Sequence, residues 1–259
     1  MRGEAIKLFK KSVLKQRKYK EIVDALGSTE GLRCLDVGGD NGVISLLLRE
    51  RGGHWSSADL DGESIESIRA LVGTDVYRFA DGEPTPFPDG EFDRVVIIDY
   101  LEHIIHDTHF IDELARILKN NGQLIINVPH HRETLLRRLR LVIGQTDEEH
   151  GHVRPGYTLE RIRELLDRHF IIEEHRTYSR FFSELIDTAI RFGVSKLKKA
   201  GKGAPKGQIV TGQDLQANKK MFRMYSVMYP FVWTFSRFDT LIPFTSGYML
   251  IVRARKTAP

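Results

Sequence analysis

From Leu32 to Val128 the chain alternates short, β-branched apolar runs with segments whose apolar residues recur at helical spacing. That alternation admits few architectures. A strand buried on both faces reads as a continuous apolar run, and parallel neighbours need a crossover that is usually a helix. Leu32–Val37 predicts a first buried strand, Gly38–Gly42 a tight turn, and Val43–Arg51 a helix with Ile44, Leu47 and Leu48 on one face. His54–Leu60 predicts a second strand, Ser64–Leu71 a helix, Val76–Ala80 a third strand and Phe92–Ile98 a fourth. Three prolines between Glu83 and Gly90 mark a loop, because proline supplies no ladder donor. Phe110, Leu114, Ile117 and Leu118 predict a helix that stops near Asn120-Asn121-Gly122, before a fifth strand at Gln123–Val128. Repeated strand–helix units imply an α/β fold with a parallel sheet, which binds ligands at the carboxyl ends of its strands.

The flanks differ. Ile6, Phe9 and Val13 fall at helical spacing among lysines, and Ile22, Val23 and Leu26 form a second set ending at Gly27. Beyond Pro129, Tyr157–Arg168 predicts a helix with Leu159, Ile162, Leu165 and Leu166 inward, and Phe170–Tyr178 and Gly247–Arg255 predict strands. Between those strands lie a basic, glycine-rich stretch at 201–207 and eight aromatics within 221–244. Met224–Ser236 carries no charge and includes Tyr225, Tyr229, Phe231, Trp233 and Phe235. It is too short to span a bilayer, and Pro230 is expected to break or kink a helix there.

Charge is unevenly distributed: +7 over residues 1–20, −13 over 21–131 and +10 over 132–259. The acidic middle argues against nucleic acid as a partner, since phosphates are held by clustered Lys and Arg. The basic ends suit a solvated face or an anionic surface. The single cysteine, Cys34, excludes an internal disulfide and fits a reducing compartment. The lysine-rich N-terminus lacks the apolar region of a secretory signal. A cytoplasmic protein is expected, with peripheral contact at a membrane surface as an option.

The segment Leu35-Asp-Val-Gly-Gly-Asp-Asn-Gly42 joins a strand to a helix. Its glycines let the backbone approach a ligand, and the helix start offers free N–H groups. It lacks the G-x-G-x-x-G of dinucleotide sites and the Lys-Ser/Thr of phosphate loops. Asp59, Asp81 and Asp99 then close the second, third and fourth strands. A carboxylate closing the second strand can accept both hydroxyls of a ribose, and one closing the third can accept from an adenine amino group.

These pieces together resemble the class I S-adenosylmethionine-dependent methyltransferases, particularly the type 11 group. The resemblance runs from Leu32 to Pro129. It rests on LDVGGDNG, the Asp59 strand end, Ala80-Asp81-Gly82, Phe87-Pro-Asp-Gly-Glu-Phe-Asp93, Tyr100-Leu-Glu-His-Ile104 and Leu118-Lys-Asn-Asn-Gly-Gln-Leu124. It implies S-adenosylmethionine as cofactor, with Gly38 and Gly42 near its methionyl part, Asp36 supporting its ammonium, Asp59 on the ribose and Asp81 on the adenine. Asp99 joins this set. Asp40 stands where the family usually has glycine; aspartate tolerates left-handed backbone better than most residues. The fold implied is a doubly wound, seven-stranded, mostly parallel Rossmann-like sheet with Gly247–Arg255 antiparallel. The chain then divides into an N-terminal helical segment (1–30), a cofactor-binding core (31–178), a helical cap insertion (179–246) and the last strand (247–259).

Transfer from a sulfonium needs mainly orientation, and a hydroxyl acceptor also benefits from a base. Seven of the ten histidines fall between 103 and 152, among them His106, His109, His130, His150 and His152. His103 and His131 are the candidate bases, with Glu102 beside the first. Asp99, Glu102 and His103 share one face of a helical turn, a spacing that suits a divalent metal and resembles quinone-biosynthesis O-methyltransferases. Leu-Glu-His is nevertheless widespread in metal-free members, so transfer without a metal is expected. Asp99-Tyr-Leu-Glu102 is not the Asn/Asp-Pro-Pro-aromatic tetrad of nucleic-acid amino-methyltransferases. The reading is O-methylation of a small-molecule, lipid-linked or glycan-type acceptor. A protein- or rRNA-methylating enzyme and a non-catalytic cofactor-binding module stand as the alternatives.

Overall fold

The computed structural model describes residues 2–134, 136–137, 151–200, 219–242 and 244–258, with 191–200 and 219–225 as backbone alone. His150 and the stretch at 201–207 lie outside the described residues.

Helices α1 (Arg2–Phe9) and α2 (Val13–Leu26) lead into β1 (Arg33–Val37), α3 (Val43–Arg49), β2 (His54–Asp59), α4 (Gly62–Val72) and β3 (Val76–Arg78). Then come β4 (Phe92–Ile98), a 3-10 turn at Leu101–His103, α5 (Asp107–Ile117), β5 (Leu118–Pro129), α6 (Leu159–Leu166) and β6 (Phe170–Tyr178). Two helices, α7 (Phe181–Ala200) and α8 (Lys219–Arg237), and a 3-10 turn at Phe238–Leu241 precede β7 (Met249–Lys256). The seven strands form one sheet in the order β3-β2-β1-β4-β5-β7-β6. β1 pairs in parallel with β2 and β4, β2 with β3, and β4 with β5. β7 runs antiparallel to both β5 and β6. This is the mostly parallel doubly wound sheet expected from the sequence.

The strands read as continuous apolar runs because both faces are covered. Leu35, Val37, Val95 and Ile97 turn to the layer holding Ile111, Leu114 and Ile162, whereas Cys34, Val96 and Ile98 turn to the layer holding Ile22, Leu26, Ile44 and Leu48. Period-two alternation thus appears as a choice between two apolar layers rather than between core and water. α2 belongs to the second layer, starting where the Ser12 hydroxyl accepts from Lys15 N and stopping at Gly27.

Three local expectations change. Leu118 opens β5 instead of closing α5, because its backbone is already extended and it pairs with Phe92. α6 starts two residues later than expected. Thr158 caps it, and Tyr157 instead bridges to His130 and buries its ring beneath Leu101 O and Asp107. α8 runs through Pro230 without a break. Proline removes one donor there, but its carbonyl still accepts from the Thr234 hydroxyl at 2.8 Å.

α7 and α8 leave the sheet and return at one point. Tyr178 is the register partner of Met249, and Tyr248 N donates to Ser179 O at 2.9 Å. The buried Asp239 carboxylate accepts from the N–H groups of Arg180 (2.7 Å) and Phe182 (2.9 Å), so the turn after α8 caps the start of α7. Phe182 and Phe238 meet edge to face across that junction. Among the described residues, no helix is long and apolar enough to cross a membrane.

Candidate active site

The carboxyl ends of β1, β2 and β4 converge on the loop at residues 38–42. Two of its glycines are required by the protein's own backbone. Gly38 has φ +86°, and a Cβ there would lie 2.1 Å from Ile98 O. Gly42 has φ +75°, and a Cβ there would lie 2.7 Å from Ile68 Cα. These glycines therefore let β4 and α4 close around the loop, a tighter demand than proximity to a ligand. Asp40 takes the family's glycine position with a left-handed φ of 50°. Its carboxylate turns aside to Lys15 Nζ at 3.2 Å.

Asp36 is fully buried, with oxygens accepting from the Ser45 hydroxyl, the Ser57 hydroxyl (2.7 Å) and Arg49 Nη1 (3.3 Å). Burial raises its pKa, opposed by Arg49 and the two serines. Asp36, expected to support a ligand's ammonium, here faces donors from within the protein. A carboxylate spent on three internal donors ties β1 to α3 and β2 and fixes the loop from beneath.

Asp59 closes β2 as expected. One oxygen accepts from Asp40 N (3.2 Å), the other from Leu60 N (2.8 Å) and Asp61 N (3.5 Å). Burial pushes its pKa up to about 6 despite those N–H groups. No ion pair serves it among the described residues. A buried carboxylate facing only neutral donors suits a neutral diol and would repel a phosphate, so it fits the ribose of S-adenosylmethionine.

Asp81, after β3, fastens the loop ahead of α5. It accepts from Ile105 N (2.8 Å) and His106 N (3.1 Å), with the His106 ring 3.3 Å away. Burial opposes its charge, but those N–H groups and His106 outweigh it and hold the pKa below the usual range. Its side chain stays partly exposed and keeps lone pairs for a further donor.

Asp99 sits at the β4 end with φ 47°. It accepts from Asn127 Nδ2 at 2.8 Å and pairs with Lys18. The Asn127 carbonyl in turn accepts from the buried Tyr178 hydroxyl. Burial alone would neutralise Lys18, but Asp99, with Glu102 and Asp40 behind it, raises its pKa. The 3-10 turn that follows delivers Glu102 and His103. Glu102 is fully buried, and neither carboxylate oxygen finds a donor on another described residue. Burial and then the Asp99 charge push its pKa well above the carboxylate range.

Donor atoms of Glu102, His103 and His152 lie within 4.8 Å of one another. Among the described residues no hydrogen bond or ion pair joins His131 to this group. Its Nε2 lies 3.9 Å from Glu133, and its backbone N–H donates to Tyr157 O. Sequence reading overlooked Lys15 and Lys18. They sit three residues apart on α2, on one helical face, and that spacing was the available signal. It also overlooked Asn127 and Tyr178, which look like ordinary strand residues.

Residues 35–126 match the family model described as methyltransferase domain. Over those residues the chain is similar to the type 11 methyltransferases. It is 34% identical over 105 residues to a demethylmenaquinone methyltransferase of Clavibacter sepedonicus, covering 39% of this chain and 43% of that protein. It is 30% identical over 114 residues to the ubiquinone/menaquinone biosynthesis C-methyltransferase UbiE of Vibrio cholerae, covering 40% and 44%. The chain thus spans less than half the length of these curated relatives. In three dimensions the domain and its flanks resemble the [4+2]-cyclase SpnF, with a TM-score of 0.61, 18% identity and coverage of 95% of this chain and 82% of that one. They also resemble an S-adenosylmethionine dependent methyltransferase of Mesorhizobium loti, with a TM-score of 0.55, 14% identity and coverage of 92% and 97%. At these identities the likeness concerns the fold, which hosts a cyclase as readily as a methyltransferase.

Proposed function

We propose that the protein transfers the methyl group of S-adenosylmethionine to an oxygen of a hydrophobic small-molecule or lipid-linked acceptor. The observation that carries cofactor binding is Asp59, a buried carboxylate that faces only N–H donors beside the 38–42 loop of a methyltransferase domain. The sulfonium supplies an already activated methyl, so the chain's task is to orient the acceptor and manage its proton. Glu102, His103 and His152 gather at the end of β4, beside the cofactor loop, for that purpose. An aspartate side chain at position 40, where the family has glycine, is what would favour a non-catalytic module. Its left-handed backbone and its turn toward Lys15 support the catalytic reading instead.

A hydrophobic acceptor is supported by α8, where Phe231, Trp233 and Phe235 stand exposed. The curated relatives named for quinone biosynthesis support a hydrophobic small-molecule acceptor, although UbiE is named for methylation at carbon. Arg237 lies over the Trp233 ring at 4.6 Å, and an aromatic face with basic residues beside it suits peripheral contact with anionic headgroups.

The test is incubation with methyl-labelled S-adenosylmethionine and fractionated cell extract. Label in the organic-soluble fraction is expected. Label confined to protein or RNA, or no transfer to any fraction, refutes the reading.

A further inference from the structure

The chain returns to the 3-10 turn at Leu101–His103 some fifty residues later, and two backbone contacts fix where it lands. Val153 N donates to Glu102 O at 2.8 Å. On the other side of His152, the Gly151 carbonyl lies 3.0 Å from His103 Nδ1. His152 is thereby held from both flanks against Glu102 and His103. The two imidazole rings meet edge-on, 88° apart, with centroids at 4.8 Å.

Glu102 is the anomaly. A buried carboxyl group should have hydrogen-bond donors or a cation, and among the described residues this one has neither on its oxygens. The nearest ammonium, Lys18, is engaged by Asp99. We propose that Glu102, His103 and His152 form a binding site for a divalent transition-metal cation, with Zn²⁺ the best match to the donors.

Two imidazoles and one carboxylate are a borderline-soft donor set that favours zinc and its first-row neighbours over magnesium or calcium. The Gly151 carbonyl orients His103 as outer-shell acceptors orient metal-bound histidines. It places the proton on Nδ1 and leaves Nε2 with a lone pair. Metal bonds of about 2.0–2.2 Å place tetrahedral donors about 3.3–3.6 Å apart, so the three draw together on binding from a spacing of up to 4.8 Å. Three protein ligands leave at least one coordination position open, as in catalytic rather than structural zinc sites.

Asp99 does not belong to the set, although its spacing with Glu102 and His103 nominates it in the sequence. Its two oxygens serve Asn127 and Lys18, and His152 supplies the third ligand instead. The site's use rests on the proposed methyl transfer and departs from the metal-free transfer expected from the sequence: an acceptor hydroxyl in the open position would have its own pKa lowered by the cation. Binding itself needs neither cofactor nor acceptor, so the two readings fail separately.

The experiment uses the full chain, stripped with chelator and dialysed, and titrated with Zn²⁺ by calorimetry. Co²⁺ titration is followed by visible absorption. Saturation at one equivalent is expected, with a Co²⁺ spectrum of low coordination number and a higher melting temperature. Glu102→Gln and His152→Ala should each weaken Zn²⁺ binding by more than the roughly 10–100-fold typical of outer-shell changes. His109→Ala, which alters an exposed histidine on α5, should leave it unchanged. Circular dichroism checks that each variant is folded, and the two ligand variants together keep the test decisive if one misfolds. No saturable Zn²⁺ or Co²⁺ binding by the wild type overturns the proposal. So does binding that survives both substitutions at full affinity.

Discussion

The Asp59 carboxyl should make cofactor affinity depend on pH in the neutral range, where few carboxylates titrate. Burial holds its pKa at about 6 in the unliganded protein. A ribose diol donates to the charged form, so protons compete with the cofactor. Affinity should be flat above about pH 7 and fall about tenfold by pH 5, equivalent to about 1.4 kcal/mol. The same shift has the opposite sign for the unliganded fold. A pKa raised from its ordinary value means the fold prefers the neutral carboxyl. This stabilisation is fully present below about pH 4 and is lost as pH rises through about 6, at a cost of up to about 3 kcal/mol. Calorimetric titration of S-adenosylhomocysteine from pH 5 to 8 measures the first effect, and urea unfolding without ligand the second. Asp59→Asn should flatten the affinity profile. It should also weaken plateau binding, since charge-assisted hydrogen bonds contribute about 1.5–3 kcal/mol each. A wild-type affinity profile that is flat from pH 5 to 8, or one that Asp59→Asn reproduces, would refute the assignment of Asp59 to the ribose.

Two further outcomes are expected. Asp36→Ala should destabilise the fold by about 3–5 kcal/mol, because it strands the partly buried Arg49 guanidinium and two hydroxyls. A urea midpoint corresponding to less than about 1 kcal/mol would show that the loop is held by other means. Trp233→Ala with Phe235→Ala removes side chains that are 44% and 47% exposed. It should therefore reduce co-sedimentation with phosphatidylglycerol vesicles while shifting stability far less than the roughly 3–5 kcal/mol each that buried aromatics would cost. Unchanged vesicle binding, or early melting, would end the membrane-contact reading.

Much of the sheet was legible because its two apolar layers leave a simple record. Runs such as Val95–Ile98 are apolar at every position, and each is followed by an acid or glycine where the chain must turn at the ligand face. The place of Asp59 at the end of β2 was legible for the same reason. What stayed hidden depends on contacts distant in sequence. Lys18 meets Asp99 across 81 residues, and His103 meets Gly151 across 48. Nothing local to α2 shows that Lys15 reaches the loop at 38–42 and Lys18 the end of β4. The internal partners of Asp36 were hidden too, because Ser45, Arg49 and Ser57 surround it only after α3 and β2 have packed. Leu118 misled because one apolar residue satisfies both the last turn of a helix and the first pair of a strand.

The pairing of Tyr178 with Met249 has a consequence for how such a protein can diversify. β6 and β7 are in effect one hairpin whose connection has been enlarged into α7 and α8. Its neck is clamped where Gly247 N donates to the Thr177 hydroxyl at 2.9 Å and the Gly247 backbone lies against Tyr178. Closing a longer loop costs only logarithmically more than closing a short one. The enlarged connection can therefore lengthen, shorten or be exchanged while the register of β5, β7 and β6 is kept. The helices α7 and α8 are thus free to change independently of the loop at residues 38–42 and the strand ends around it.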